Sequence, residues 1–240
     1  MCIKNWEVIH WDYLDITKEF IKKGEKFDFI ILDPPYEVQS NGGWTVNNLK
    51  KLNKSLNEWI VKENIVSWYD YEKAFEILDK LQDNINICFF CSKKQIMIYM
   101  NRYVNEKKCT FDILFWHKNN ALPTYSNKYL TDCEYILHFR KGASCKPGNY
   151  KDAQTVYFWS INHKDKKLFW HPSIKPLELV EKLIRNHSRP WDKILDFFAW
   201  SWTTGVACQN TGRKFVLVEK AEKYYNLCNQ RLLNNLPITY

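Results

Sequence analysis

The stretch Phe27-Asp28-Phe29-Ile30-Ile31-Leu32 decides the fold, and Asp33-Pro34-Pro35-Tyr36 follows it without a break. A short, nearly continuous apolar run of this kind predicts a strand that is buried on both faces. Such strands belong to parallel sheets, and this one delivers Asp33 to the carboxyl edge of its sheet. Ligands of open parallel sheets bind outside that edge, so we expect Asp33 to face a ligand.

Further apolar runs alternate with amphipathic stretches along the chain. The strand-like runs cover residues 85–90, 111–116, 134–140, 193–195 and 215–218. Apolar residues recur at helical spacing in residues 71–81 and 176–184. Strands that alternate with helices predict an α/β domain with a mostly parallel sheet and helices on both faces. No internal repeat or long linker interrupts this pattern, so we expect a single domain over residues 1–240.

The composition excludes several classes of protein. With 45% hydrophobic and 16% aromatic residues, this chain of 240 residues is not disordered. It has no run of about 18 apolar residues, which a membrane span requires, and its first residues lack the apolar core of a signal peptide. We therefore expect a cytoplasmic protein without a membrane partner. The net charge of +8 permits a polyanionic partner without requiring one.

The chain has 8 cysteines, which a reducing cytosol keeps as thiols. The one close pair in the sequence, Cys88 and Cys91, lies inside a strand-like run. No second pair follows at the spacing that a zinc site needs. The sequence therefore favours buried structural cysteines, and we expect no metal.

The tetrapeptide after the first strand has the chemistry to hold an amino group on a flat ring. Two prolines fix the backbone and remove two N–H donors, so their carbonyls can only accept hydrogen bonds. Asp33 and the Pro34 carbonyl are then acceptors for the amino group, while Tyr36 offers an aromatic face to the ring. The alternative interpretation is a turn that merely ends the strand.

A second constellation of polar residues follows a later strand. Asp196 ends an apolar run, and a turn with Ser201, Thr203 and Thr204 comes next. Glu219 ends the following run, at about the distance from Asp196 at which dinucleotide folds place a ribose-binding carboxylate. Such a loop normally carries glycine so that its backbone can approach the ligand. Glycine is missing here, so the loop is incomplete as a nucleotide-binding motif.

Taken together, these motifs resemble those of S-adenosylmethionine-dependent DNA amino-methyltransferases, with the target motif ahead of the cofactor motif. The family's D-P-P-Y matches residues 33–36, and its H-P-T-x-K-P matches residues 171–176 with Ser173 for Thr. Its D-P-F-x-G-S-G-T-T-G matches residues 196–205 imperfectly, and its K-F-x-G-x-E matches residues 214–219. An early G-D pair corresponds to Trp11-Asp12, and residues 119–141 resemble versions carried by phages and mobile elements.

The resemblance implies a Rossmann-like sheet of seven strands in circularly permuted order. It implies that Asp12 binds the cofactor adenine, that Glu219 binds the ribose hydroxyls and that the loop from Asp196 holds the methionine end. His171 and Lys175 shape the pocket beside that end, unless they merely begin a helix. The implied cofactor residues are Asp12, His171, Lys175, Asp196, Phe198, Ala199, Trp200, Ser201, Thr203, Thr204 and Glu219.

The implied activity is transfer of a methyl group from S-adenosylmethionine to the N6 amino group of an adenine flipped out of DNA. Asp33, Pro34, Pro35 and Tyr36 are the implied catalytic residues. Cytosine-N4 enzymes of the family more often carry Ser in place of Asp33, so adenine is the favoured target and cytosine stays open. An unrelated nucleotide-binding α/β enzyme is a further alternative.

The DNA-facing part of the chain is expected in the polar loop region of residues 117–132. Lys118, Asn119 and Lys128 are candidate DNA contacts, with the two lysines binding phosphates. Trp116 is expected to pack at a strand end and not to act as a wedge between bases. The short chain favours a solitary or phage-borne enzyme over a restriction-modification partner. The recognition sequence and the oligomeric state do not follow from the sequence.

Four tryptophans stand where the family carries glycine, namely Trp11, Trp191, Trp200 and Trp202, and Trp170 is a candidate for a fifth. The chain has 7 glycines and 11 tryptophans, although glycine is normally far commoner. One hypothesis is a degenerate relative that has lost cofactor binding and only binds DNA. In that case Trp200 is the main obstruction, because the position of Trp202 varies more in the family.

The other hypothesis, which we favour, is translation under the wrong genetic code. Some bacterial lineages read UGA as glycine, and other codes read it as tryptophan. Random decay would not select tryptophan at several aligned glycine positions while sparing Asp33, Thr203, Thr204 and Glu219. UGG codons at positions 11, 191, 200 and 202 would refute this hypothesis. Phe197 for proline and Leu217 for glycine are separate departures, and both residues are apolar enough to pack.

Overall fold

The computed structural model of the protein describes residues 6–34, 69–121, 123, 127, 129–160, 174–199, 202–222, 224–226 and 232. In chain order the strands are β1 (Trp6–His10), β2 (Phe29–Leu32), β3 (Ile85–Cys91), β4 (Thr110–His117), β5 (Cys133–Lys141), β6 (Val156–Phe158), β7 (Lys193–Asp196) and β8 (Lys214–Glu219). The helices are α1 (Tyr13–Lys22), α2 (Tyr71–Leu81), α3 (Ile96–Met100), α4 (Tyr150–Ala153), α5 (Leu177–His187) and α6 (Thr203–Thr211), and a π-helix over Asn101–Glu106 continues α3.

The eight described strands form one sheet in the spatial order β1-β8-β7-β2-β3-β5-β4-β6. Neighbouring strands are parallel, except that β5 runs antiparallel to both β3 and β4. The predicted α/β fold with a mostly parallel sheet is therefore confirmed. The sheet has one strand more than the seven expected, because the three residues of β6 pair with the end of β4 at the outer edge.

Helices cover both faces of the sheet, as predicted. Successive residues of a strand point to opposite faces, and β2 shows this directly. Phe29 and Ile31 pack in a core cluster with residues of α5 and α6. Ile30 and Leu32 pack in a second cluster with residues of α1 and α2. Burial on both faces explains why this strand is apolar at every position.

The same alternation separates the two cysteines of β3. Cys88 lies in the cluster under α5, and Cys91 lies in the cluster on the opposite face. Both side chains are buried, and burial raises the pKa of the Cys91 thiol to about 12. The expected burial is confirmed for this pair, whose thiols face away from each other across the sheet.

The order of the strands creates a topological switch point between β7 and β2. After β7 the chain passes through α6 to β8 on one side, and after β2 it continues to β3 on the other side. Ligands of open parallel sheets bind at the carboxyl ends of the two strands that flank such a point. The fold therefore places the candidate site at the ends of β7 and β2.

Several elements did not show in the sequence pattern. Helix α6 has no apolar stripe, because its residues Thr203, Thr204 and Gly205 are buried together with Ala207 and Cys208. Strand β1 is only half-buried, and β6 is too short to show a period. Among the described residues, no helix has the length and apolar character needed to cross a membrane.

Two of the suspect tryptophans have a backbone conformation that favours glycine. Trp191 has a φ of 73° and Trp202 a φ of 53°, both in the left-handed region. In the described part of the chain, only Lys108 and Asn127 share this feature among the residues other than glycine. Left-handed backbone costs an L-residue roughly 1–2 kcal/mol, and tryptophan has no side-chain group that compensates for it locally. The backbone at both positions is thus the one that glycine adopts most readily.

We therefore expect Trp191→Gly to stabilise the protein. The side chain of Trp191 is 67% exposed, so its removal loses little packing, while glycine relieves the left-handed strain. The matched control is Trp191→Ala, because alanine keeps the Cβ atom that causes the strain. Urea unfolding should show the glycine variant about 1 kcal/mol more stable than the alanine variant. Equal or lower stability of the glycine variant would contradict this account of the position.

Candidate active site

Four neighbouring strands end in a carboxylate at one edge of the sheet. Asp12 follows β1, Glu219 ends β8, Asp196 ends β7 and Asp33 follows β2. The four strands are consecutive and parallel in the sheet, so their acids lie in a row. The structure thus brings together four residues that the sequence predicted for one site.

Asp196 organises the loop between β7 and α6. Its Oδ1 accepts a hydrogen bond from the Phe198 N–H at 2.9 Å, and its Oδ2 accepts one from the Thr204 hydroxyl at 2.7 Å. Phe198 and Ala199 are buried, and the Ala199 N–H donates to the Val218 carbonyl at 3.3 Å. Burial raises the pKa of Asp196 to about 7, although both hydrogen bonds oppose the rise.

Glu219 and Asp12 end the next two strands. Glu219 is buried and accepts a hydrogen bond from the Ala221 N–H at 2.8 Å. Burial raises its pKa to about 8. Asp12 caps α1 by accepting from the Leu14 N–H at 2.9 Å, and it pairs with the Lys220 ammonium at 2.9 Å.

The raised pKa values of Asp196 and Glu219 indicate that their hydrogen-bond donors do not fully offset the effect of burial. Burial disfavours their charged forms, and backbone and hydroxyl donors compensate for this only in part. A ligand that donates hydrogen bonds to these oxygens favours the charged carboxylates. Hydroxyl and amino groups of a nucleoside are donors of this kind, so this part of the row fits a nucleotide-like cofactor.

Asp33 belongs to a chain of alternating charges that continues across the sheet edge. Its Oδ2 lies 3.0 Å from the Lys175 Nζ, which lies 2.8 Å from the Glu134 Oε2. The other oxygen of Glu134 accepts from the Lys118 Nζ at 2.6 Å. We name Asp33, Lys175, Glu134 and Lys118 the charge chain. Glu134 stands in the tract that resembles mobile-element enzymes, and no sequence motif predicts a role for it.

The charge chain is held in a nearly dry environment. The side chains of Lys175 and Glu134 are only 4% and 12% exposed. Burial alone raises the pKa of Glu134, but Lys175 and Lys118 outweigh it and lower that pKa to about 2. Burial likewise lowers the pKa of Lys175, and Asp33 and Glu134 outweigh it so that this pKa is raised. Both groups are therefore charged at neutral pH.

Trp202 fills the crevice between β7 and β2. Its side chain is 1% exposed, and the cavity that it lines beside Asp33, Lys175 and Asp196 has a volume of only about 20 Å³. That space holds about one water molecule, whereas small-molecule pockets measure roughly 300–1,000 Å³. Trp202, which was expected to be the lesser obstruction, packs with its indole directly at the switch point, and Trp200, which was expected to be the main one, lies outside the described residues.

The other departures from the family motif are accommodated by packing. Phe197 is buried, with its ring 5.7 Å from that of Tyr13. Leu217 is fully buried under α6, where a Cβ on Gly205 would lie 2.9 Å from its Cδ1. Gly205 therefore permits the close approach of α6 to a leucine that stands where the family has glycine.

Two of the three candidate DNA contacts, Lys118 and Asn119, lie where the loop region of residues 117–132 begins. The antiparallel arrangement of β3, β5 and β4 brings this connection to the same sheet edge as Asp33. Asn119 is exposed, whereas the ammonium of Lys118 is bound to Glu134 and lies 4.9 Å from the ring centre of Trp116. Trp116 is buried and donates from its indole to the Trp159 carbonyl at 3.0 Å, so its predicted packing role is confirmed.

Some predicted residues cannot be placed in this geometry. Those that lie outside the described residues are Pro35, Tyr36, Lys128, Trp170, His171, Trp200 and Ser201. Thr203 is described and buried, and its hydroxyl donates to the Lys175 carbonyl at 3.4 Å. This contact joins the start of α6 to the start of α5 beside the crevice.

The fold is the Rossmann-like fold of DNA methyltransferases, and the row of carboxylates stands at the edge of the sheet where ligands of such folds bind. The sequence profile of a family described as DNA methylase matches residues 27–230. The chain therefore belongs to this family, the S-adenosylmethionine-dependent DNA amino-methyltransferases that modify N6 or N4 groups. The predicted family and cofactor are thus confirmed.

Individual relatives agree with this assignment over nearly the whole chain. The Type II methyltransferase M2.LlaDCHI of Lactococcus lactis subsp. cremoris is 28% identical over 99% of this chain and 92% of its own. The crystal structure of an M1.HpyAVI–SAM complex is 27% identical, covers 95% of this chain and 100% of its own, and has a TM-score of 0.69. PvuII DNA methyltransferase, described as cytosine-N4-specific, is 17% identical with a TM-score of 0.68 and covers 98% of this chain and 89% of its own, which shows the shared fold alone.

The residues present fit one end of S-adenosylmethionine and not the other. Asp12 and Glu219 offer carboxylate acceptors for the amino group and hydroxyls of an adenosine. At the crevice between Asp196 and Asp33, the indole of Trp202 leaves no room for the methionine end. Among the described residues of this loop, the disagreement lies in the side chain of Trp202, whose backbone conformation is the one that glycine favours.

Proposed function

We propose that this protein is a DNA adenine-N6 methyltransferase whose acceptor for the target amino group is Asp33. The observation that carries the proposal is the position of Asp33 at the switch point, with its carboxylate paired to the buried Lys175 at 3.0 Å. An ion pair in a dry environment keeps a carboxylate charged and fixes its direction. A charged, oriented acceptor is what an exocyclic amino group requires.

The chain contributes positioning to the reaction, and S-adenosylmethionine supplies the methyl group when it is bound. Asp33 and the Pro34 carbonyl accept hydrogen bonds from the amino group and so direct its lone pair. Positioning of this kind can lower a barrier by about 7–11 kcal/mol. Direct transfer needs no covalent nucleophile, and the buried Cys88 and Cys91 at the centre of the sheet have no role in it.

Adenine is the target that the motif favours. The family resemblance associates an aspartate at the first position of the tetrapeptide with adenine-N6 enzymes, and Asp33 holds that position. Cytosine-N4 transfer is the alternative, since both amino groups can donate to the same acceptors. The likeness to a cytosine-N4-specific enzyme supports the fold and does not bear on the base.

DNA is the proposed substrate, and the loop region of residues 117–132 is proposed to face it. Asn119 is exposed at the start of this region, and Tyr129 is 97% exposed within it. A target base must leave the stack to reach Asp33, which costs a few kcal/mol. The loop region lies at the correct sheet edge to receive the strand from which the base is removed.

A catalytically impaired relative that only binds DNA is the second candidate. The observation that favours it is the buried indole of Trp202, which fills the crevice where the methionine end is proposed to bind. If Trp202 is a genuine residue, the chain keeps the fold and the charge chain and lacks cofactor binding. If the codon specifies glycine, the same fold contains an open pocket.

Trp202→Gly should open the cofactor pocket. Removing the indole frees its volume beside Asp33 and Asp196, and glycine adopts the left-handed backbone without strain. We expect calorimetry to show at least about a tenfold gain in affinity for S-adenosylmethionine, equal to about 1.4 kcal/mol. The double variant Trp200→Gly/Trp202→Gly should bind at least as tightly.

Trp191→Gly is the matched control for this experiment. It makes the same change at another left-handed position, which is exposed and lies away from the crevice, so the affinity should stay unchanged. If Trp202→Gly brings no gain in affinity, Trp202 is not the obstruction. If the double variant also fails to bind, the assigned cofactor site is wrong.

Asp33→Ala should abolish methyl transfer and retain cofactor binding. The substitution removes the acceptor for the amino group, and loss of one positioned group typically costs about 100-fold or more in kcat. The measurement is transfer of labelled methyl groups to DNA by the form that binds the cofactor, followed by digestion to nucleosides. Asp83→Ala, at an exposed aspartate paired with Lys26, is the control that should keep full activity. Methylation retained by Asp33→Ala would refute the role given to this residue.

A further inference from the structure

Glu134 is a buried carboxylate that bridges two ammonium groups beside the proposed acceptor. It lies 2.8 Å from the Lys175 Nζ and 2.6 Å from the Lys118 Nζ. Lys175 in turn lies 3.0 Å from Asp33. No motif of the sequence assigns a role to Glu134, and its place near the start of β5 is fixed by pairing with Trp116 of β4.

The four charges of the charge chain sum to zero only because Glu134 is present. Asp33 and Glu134 carry two negative charges, and Lys175 and Lys118 carry two positive charges. Without Glu134, the buried Lys175 ammonium would keep its ion pair with Asp33 and lose the one with Glu134, and the Lys118 ammonium would lose its ion pair with Glu134. Asp196 also interacts electrostatically with Asp33, and this repulsion is unchanged by the loss of Glu134. Buried charges interact strongly, because the effective dielectric constant is well below that of water.

Asp33 must accept a hydrogen bond that strengthens during the reaction, and this requirement decides whether Glu134 helps or hinders methyl transfer. Positive charge develops on the amino nitrogen as it takes up a methyl group, so its N–H bonds become stronger donors. A carboxylate that is fully committed to an ammonium group is a poorer acceptor for such a donor. Sharing that ammonium with a second carboxylate restores the negative charge that the acceptor needs.

We propose that Glu134 is a positioning residue for methyl transfer, which holds Lys175 between two carboxylates and so keeps Asp33 a strong acceptor for the target amino group. This inference rests on the proposed function. Glu134 acts through Lys175 and does not itself touch the base. Lys118 weakens the hold of Glu134 on Lys175, because both ammonium groups pair with the same carboxylate.

Substitutions of Glu134 and of Lys118 in the charge chain should move the pKa of Asp33 in opposite directions. Glu134→Gln removes a negative charge of nearly the same shape, so the Asp33 pKa should fall by about one unit. Lys118→Met removes a positive charge, so the Asp33 pKa should rise. The measurement is a pH titration by nuclear magnetic resonance of the full chain with carboxyl-labelled aspartate, with the Asp33 signal assigned by Asp33→Asn.

A merely structural role for Glu134 predicts a different outcome. Loss of support for Lys175 would disturb the Asp33 signal in the same manner in both variants, without opposite shifts. Asp79→Asn is the matched control, since Asp79 of α2 is likewise held between two cations, with Arg102 at 2.6 Å and Lys107 at 2.5 Å. This control should leave the Asp33 titration unchanged, and Glu134→Asp should preserve most of the wild-type value.

Activity gives a second readout in whichever form methylates DNA. The acid limb of the pH profile of kcat/KM should move down in Glu134→Gln and up in Lys118→Met, and kcat of Glu134→Gln should fall about tenfold at neutral pH. An unchanged Asp33 pKa in folded Glu134→Gln, or shifts of the same sign in both variants, would overturn the inference. Absence of methylation in every form would contradict the proposed function, and the Asp33 titration would still decide the role of Glu134.

Discussion

The burial of carboxylates at one edge of a parallel sheet is the constraint on which the rest of this structure depends. Each acid must be compensated, because an isolated buried charge is costly. Asp33 and Glu134 are compensated by Lys175 and Lys118, and both lysines are themselves largely buried. Asp12 is compensated by a helix N-terminus and Lys220. The arrangement of the basic residues around the site follows from this need.

Asp196 and Glu219 are the two acids whose compensation is incomplete. Their partners are backbone N–H groups and a hydroxyl, and burial keeps their pKa values near neutrality. This is the pattern expected of a site that a ligand completes with its own donors. The sheet edge thus has two parts, one with Asp196 and Glu219, which are compensated by neutral donors, and one with Asp33, which is paired with the Lys175 ammonium.

Most of the fold could be predicted from local patterns. Continuous apolar runs marked β2 and β3, and helical spacing marked α2 with its observed bounds of Tyr71–Leu81. Helix α6 was not predicted, because its burial comes from the close approach of Gly205 to Leu217 and not from an apolar stripe. Strand β6 was not predicted, because three residues are too few to show an alternation of apolar and polar side chains.

The part of the site that is formed by residues directly after strands could be predicted from the sequence. The part that joins residues distant in the sequence could not. Acids that follow strands could be read from the chain, and four of them meet at one edge. The charge chain could not be read, because it joins residues 33, 118, 134 and 175 through the three-dimensional order of β2, β4, β5 and α5. Composition flagged the tryptophans, but only the backbone shows that Trp191 and Trp202 adopt the conformation of glycine.

The central claim is that this sheet edge methylates adenine in DNA. Its most direct test is the mapping of modified bases in DNA from a host that expresses the gene under its native genetic code. The account predicts N6-methyladenine at a defined sequence, absent from a matched host that expresses the Asp33→Ala form. Unmodified DNA, N4-methylcytosine alone or a signal that survives Asp33→Ala would contradict it.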